Sequence, residues 1–121
     1  LAATRFSGRV APPHPGGAPN CADWVMREAY SHEVSSCGYW PGGSDEGSFY
    51  SYAYPEPDGF RTSPVPDGAR YDEALGEFVL PYRLVRQAAD PAHTLLEFLQ
   101  ATYDAAASRA DWDPSLAKRV V

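Results

Sequence analysis

Three histidines (His14, His32, His93) and two cysteines (Cys21, Cys37) are the side chains best suited to chemistry near neutral pH. As metal ligands they are badly spaced. The chain has no Cys-x-x-Cys and no His-x-x-x-His, the patterns that bring two donors to one side of a turn or helix. Residues 31–40 read as a strand, which sends His32 and Cys37 to opposite faces and separates them by about 17 Å along it. The sequence therefore predicts no metal and no cofactor. Cys37 reads as a small buried thiol, and His14 and His93 as solvent-side histidines. As a general base, His32 needs a carboxylate to orient it. Glu33 is adjacent, but neighbouring strand residues point apart, so a partner has to come from elsewhere, with Glu56, Asp58 and Asp67 on a long loop as the candidates. Ser35 and Ser36 lack the Gly-x-Ser-x-Gly elbow of a serine hydrolase. Neither Gly-x-Gly-x-x-Gly nor a phosphate loop occurs.

Aromatic residues give the more informative pattern. Residues 48–54 alternate strictly: Tyr50, Tyr52 and Tyr54 point one way, and Phe49, Ser51 and Ala53 the other. Tyr39 and Trp40 close the preceding strand. Tyrosine is amphipathic and suits a half-buried surface. One reading is a sheet face covered by a helix, with hydroxyls reaching solvent at its edge. The other is an interface or a ligand pocket, with His32, Trp40, Tyr50, Tyr52 and Tyr54 as candidate binding residues.

These residues must be held by a small set of elements. Residues 1–9 read as the end of a strand. Pro12, Pro13, Pro15, Gly16, Gly17 and Pro19 then crowd together and, with fixed φ and missing donors, form an extended loop. Asn20 is positioned as the cap of a short helix over 21–30. Strands are predicted over 31–40 and 48–54, joined as a hairpin across Pro41-Gly42-Gly43. Residues 55–70 read as a long turn-rich loop carrying Pro57-Asp58-Gly59 and Pro66-Asp67-Gly68. A third strand is predicted over 74–80, then one or two helical turns over 82–89. Asp90-Pro91 is a strong helix start, and Leu95, Leu96, Leu99, Tyr103 and Ala106 recur on one face, with Phe98 beside it. Asp113-Pro114 repeats the start signal for a short terminal helix. The predicted fold is α+β: a small antiparallel sheet of three or four strands with a C-terminal helix packed on one face. Residues 1–19 are an extended Pro/Gly-rich segment, and 20–121 a single domain.

Composition narrows the function. The chain has 121 residues, 44% of them apolar, which suits one packed core. Its net charge is −6, with nine arginines and one lysine scattered and never in a run, so it repels phosphate backbones and is not expected to bind nucleic acid. No stretch approaches the roughly 20 apolar residues of a membrane span. The first ten residues hold two arginines and no apolar core, unlike a signal peptide. A cytoplasmic location with free thiols is expected. The chain begins with leucine rather than methionine, which reads as a processed chain or a fragment.

Several stretches carry a resemblance: Thr4-Arg5-Phe6-Ser7-Gly8-Arg9, the run from Ala11 through Asn20, the run from Ala22 through Ser36, Tyr52-Ala53-Tyr54-Pro55-Glu56-Pro57 and Leu75-Gly76-Glu77-Phe78. Over residues 6–112 the chain resembles an uncharacterised bacterial family built on a domain of unknown function. The resemblance implies longer chains of which this is the C-terminal part, and an internal duplication signalled by Gly59-Phe60-Arg61-Thr62-Ser63-Pro64-Val65-Pro66. It carries no catalytic residue. In similar chains positions 21 and 37 need not be cysteine, which speaks further against a cysteine site. The function read from the sequence is a non-catalytic binding or assembly domain, with room for a small-molecule ligand. Its expected partner is the absent N-terminal half or a second copy. The alternative is a metal-independent enzyme with its site near His32.

Overall fold

The computed structural model describes residues 1–17, 20–42 and 46–117. Five strands form one antiparallel sheet: β1 (Ala2–Val10), β2 (His32–Trp40), β3 (Ser48–Tyr54), β4 (Arg70–Asp72) and β5 (Glu77–Pro81), in the order β1-β2-β3-β5-β4. Three α-helices accompany them: α1 (Asp23–Ala29), α2 (Tyr82–Arg86) and α3 (Pro91–Arg109). The α+β reading holds, with one or two strands more than predicted.

The strict alternation of β3 sets the two faces. Phe49 and Ala53 pack into the main core with Phe60, Phe78, Leu80, Val85, Phe98 and Ala106, while the three tyrosines look away from it. Helix α3 lies on the core face, against β3 and β2. Its start is as predicted: Pro91 opens the helix and the Asp90 carboxylate accepts the His93 amide at 3.1 Å, satisfying a donor that the first turn leaves free. The buried side of α3 differs from the leucine stripe. Phe98, Thr102, Tyr103, Ala106 and Ala107 are buried, Leu95 and Leu99 are half-buried, and Leu96 is exposed. The hydroxyl of Thr102 is satisfied inside the helix by the Phe98 carbonyl at 2.9 Å, so burying it leaves no orphan.

Three other expectations are corrected. Residues 2–10, read as a strand end within an extended segment, form a full nine-residue edge strand. The strand predicted over 74–80 starts only at Glu77, and residues 73–76 are the turn of the β4–β5 hairpin: Asp72 Oδ1 accepts the Leu75 amide at 3.1 Å and Gly76 turns the chain at φ 71°, the turn chemistry of Asp and Gly overriding the apolar Ala74-Leu75. The turn chemistry read at Pro57-Asp58-Gly59 is present: Gly59, at φ 81°, starts a 3-10 turn (Phe60–Thr62) that drives Phe60 fully into the core. Asn20 does not cap α1; it adopts φ 59°, and the helix begins after Ala22 without a side-chain cap. The Asp23 carboxylate instead accepts the Gly17 amide at 2.9 Å.

Candidate functional site

On the face away from α3, Tyr50, Tyr52 and Tyr54 stand opposite Gly38, Ser36 and Val34 of β2. The small residues of β2 leave room for the rings. Tyr52 and Tyr54 are tied into a cluster built from the loop and α1. His14 stacks on Tyr30 at 5.0 Å, Tyr30 Oη and Tyr52 Oη share a hydrogen bond of 2.9 Å, and Tyr54 Oη donates to the Pro12 carbonyl at 3.1 Å. Burial, helped by the Tyr30 hydroxyl, pushes the Tyr52 phenol well above its usual range. Tyr50 stacks on Tyr52 with ring centroids 6.1 Å apart, and its phenol is raised mainly by burial. Glu77 nearby is also raised, by burial first and then by Asp72.

The structure gathers the three tyrosines but sets the other two candidates apart. His32 and Trp40 occupy opposite ends of β2, roughly 26 Å apart at strand spacing. His32 is exposed, with its Nδ1 3.0 Å from the Ser31 hydroxyl. Of the carboxylates considered for it, Glu56 is engaged by Arg61 and by the Tyr71 hydroxyl. Trp40 is exposed. His14 and Tyr30, which complete the cluster, come from segments whose sequence carries no strand periodicity to place them.

A second feature lies on the core face, where α3 stops short of β1. An open cleft of about 1020 Å³ runs between them. Ala3, Ser35, Cys37 and Ser51 form its floor, and Leu96, Leu99 and Leu116 its apolar walls. The hollow exists because the floor residues are small. Arg5 projects into it with its guanidinium 4.1 Å over the ring of Tyr103. That ring is fixed by a 3.2 Å hydrogen bond from its hydroxyl to the Leu116 carbonyl and by an edge contact with Trp112. Arg5 has no carboxylate within salt-bridge distance among the described residues. The Cys37 thiol beside it is pushed up by burial, with the Arg5 charge opposing.

A third feature is the edge of the sheet. The Tyr39 amide donates to the Leu1 carbonyl at 3.1 Å. Hydrogen-bonded pairs alternate along an antiparallel ladder, so Leu1, Ala3 and Arg5 bond inward to β2, and Ala2, Thr4 and Phe6 turn their N–H and C=O outward. A bulge between Phe6 and Val10, with Gly8 at φ 90°, ends the regular ladder. The opposite edge, β4, is only three residues long and carries an Arg70–Asp72 ion pair at 3.3 Å, two devices that blunt an edge.

Among the described residues no group of three His, Cys, Asp or Glu side chains is placed to hold a metal ion, both cysteines are free, and no helix is long and apolar enough to cross a membrane. Compared with known families, residues 1–119 match a family of unknown function, DUF5996. The chain belongs to that family. No curated protein and no solved structure matches it.

Proposed function

We propose that this DUF5996 chain is a non-catalytic assembly domain that pairs with a second copy of itself along residues 2–6 of β1. The outward N–H and C=O groups of Ala2, Thr4 and Phe6 carry the proposal. They form an edge without the shortness and close charge pairing that protect β4. A two-fold axis at Thr4 makes the edge self-complementary. Thr4 then faces the partner's Thr4, and Ala2 faces the partner's Phe6, in hydrogen-bonded pairs that exchange about six bonds in all. Arg5 falls opposite the partner's Ala3, which avoids a direct like-charge pair. Phe6, 53% exposed in the single chain, lies across the partner's small Ala2. Thr–Thr and aromatic pairs of this kind favour a sheet.

Magnitudes set the expected strength. Six bonds at about 0.5–1.5 kcal/mol each fall within the cost of association, about 4–15 kcal/mol. Burial of Phe6 has to supply the surplus, so the dimer is of micromolar rather than nanomolar strength. Light scattering tests the proposal: the expected mass is that of two chains, and the mass of one chain at high micromolar concentration contradicts it.

A further inference from the structure

We propose that the cleft between α3 and the β1–β2 side of the sheet binds an amphipathic monocarboxylate, its headgroup on Arg5 and its apolar body against Leu96, Leu99 and Leu116. The site uses the core-face side chains of β1, among them Ala3 and Arg5, whereas pairing uses the outward backbone groups of Ala2, Thr4 and Phe6; binding does not depend on pairing of two copies.

Three observations carry it. First, the cleft, at about 1020 Å³, reaches the upper end of the roughly 300–1,000 Å³ of small-molecule sites. Ser35 and Ser51, both almost fully buried, occupy core-face positions where larger apolar residues would close it. Second, Arg5 is a positioned cation without a carboxylate partner among the described residues. The Tyr103 ring, 4.1 Å beneath the guanidinium carbon, holds the group in place, and among the described residues none of its N–H donors is taken up by a hydrogen bond, so it can meet a carboxylate through two parallel hydrogen bonds. Tyr103 is itself held through Leu116 and Trp112, so the headgroup site is preorganised. Third, the charges around the cleft limit the ligand to one negative charge, placed on Arg5. Glu97 and Asp104 line the α3 side. Glu97 lies 3.5 Å from His93 Nε2, and Asp104 accepts from Gln100 Nε2 at 2.7 Å. Their field opposes a phosphate or other multiply charged group, for which one arginine is too little compensation.

The test is a titration of the whole chain with octanoate, followed by amide and methyl NMR shifts, with octylammonium and octanol as charge controls. Octanoate is expected to saturate, to shift resonances of Arg5, Leu96, Leu99 and Tyr103, and to slow alkylation of Cys37, which lies on the cleft floor. Arg5→Gln should weaken it by about tenfold or more, the worth of a hydrogen bond to a charged group, and Arg5→Lys should restore part of that. Leu96→Asp changes an exposed position (63% exposed) that the fold does not need, and should also abolish binding. Octylammonium or octanol binding as tightly as octanoate, octanoate failing to saturate at millimolar concentration, or Arg5→Gln and Leu96→Asp both binding unchanged would each overturn the proposal.

Discussion

Gly38 and Tyr50 face each other across β2 and β3, and the tyrosine fills the space that a side chain at 38 would need. A Cβ on Gly38 would lie 2.7 Å from Tyr50 Oη and would also meet the Leu1 carbonyl. Alanine normally gains about 0.5–1 kcal/mol over glycine inside a strand. Here crowding of about 1–3 kcal/mol outweighs that gain. Gly38→Ala should lower the urea midpoint, and adding Tyr50→Phe, which removes the hydroxyl, should recover part of the loss. An unchanged midpoint would mean that Tyr50 does not lie over β2.

Helix α3 holds the fold through Phe98, not through its most exposed leucine. Phe98 is fully buried among Phe60, Phe78 and Leu80. Phe98→Ala should cost about 3–5 kcal/mol. Leu96→Ala should stay within about 0.5 kcal/mol. Equal losses in chemical denaturation would contradict the assigned face of α3.

Glu77 gives a pH signature. Burial and then Asp72 raise its pKa in the folded state, so the folded chain holds that proton longer than the unfolded chain does. Its contribution to stability is therefore lost as pH rises from the ordinary glutamate range to the raised value, and stays unfavourable above it. Glu77→Gln should raise the melting temperature at neutral pH and have little effect well below the carboxylate range. A shift of equal size at both pH values would remove burial of the charge as the cause.

The parts of this fold written in local chemistry were legible from sequence. Asp90-Pro91 announces α3, and the alternation of 48–54 fixes β3 and its tyrosine face. What depended on distant surfaces was not. The stripe of Leu95, Leu96 and Leu99 is the more apolar, but α3 lies on a sheet whose near side is the small Ser35, Cys37 and Ser51. Phe98 and the alanines therefore take the packed side, Leu95 and Leu99 reach the core only partly, and Leu96 and Leu99 wall a cleft. Arg5 gave no signal, because a single arginine on a strand acquires meaning only when Tyr103, near the other end of the chain, lies beneath it. The partners of the tyrosine cluster, His14 and Tyr30, were hidden for the same reason. The β4–β5 turn was masked because Ala74-Leu75 looks like strand until Asp72 and Gly76 are weighed as turn formers.

The pairing of β1 with a second copy is tested most directly by light scattering of the parent chain beside Thr4→Pro, at matched concentrations from about 1 to 100 μM. Thr4 turns its N–H outward, so proline there removes a donor to the partner and none to β2, a setting in which a strand tolerates it. Thr4→Val, which loses the 3.1 Å contact between the Thr4 and Ser36 hydroxyls and turns the Thr–Thr pair across the dimer axis into a Val–Val pair of similar shape while keeping every outward backbone group, controls for the side chain. The expected result is a mass that climbs with concentration to that of two chains for the parent and for Thr4→Val, and a one-chain mass throughout with an unchanged far-UV spectrum for Thr4→Pro. A parent chain that is monomeric throughout that range, or a Thr4→Pro chain that dimerises as well as the parent, would contradict it.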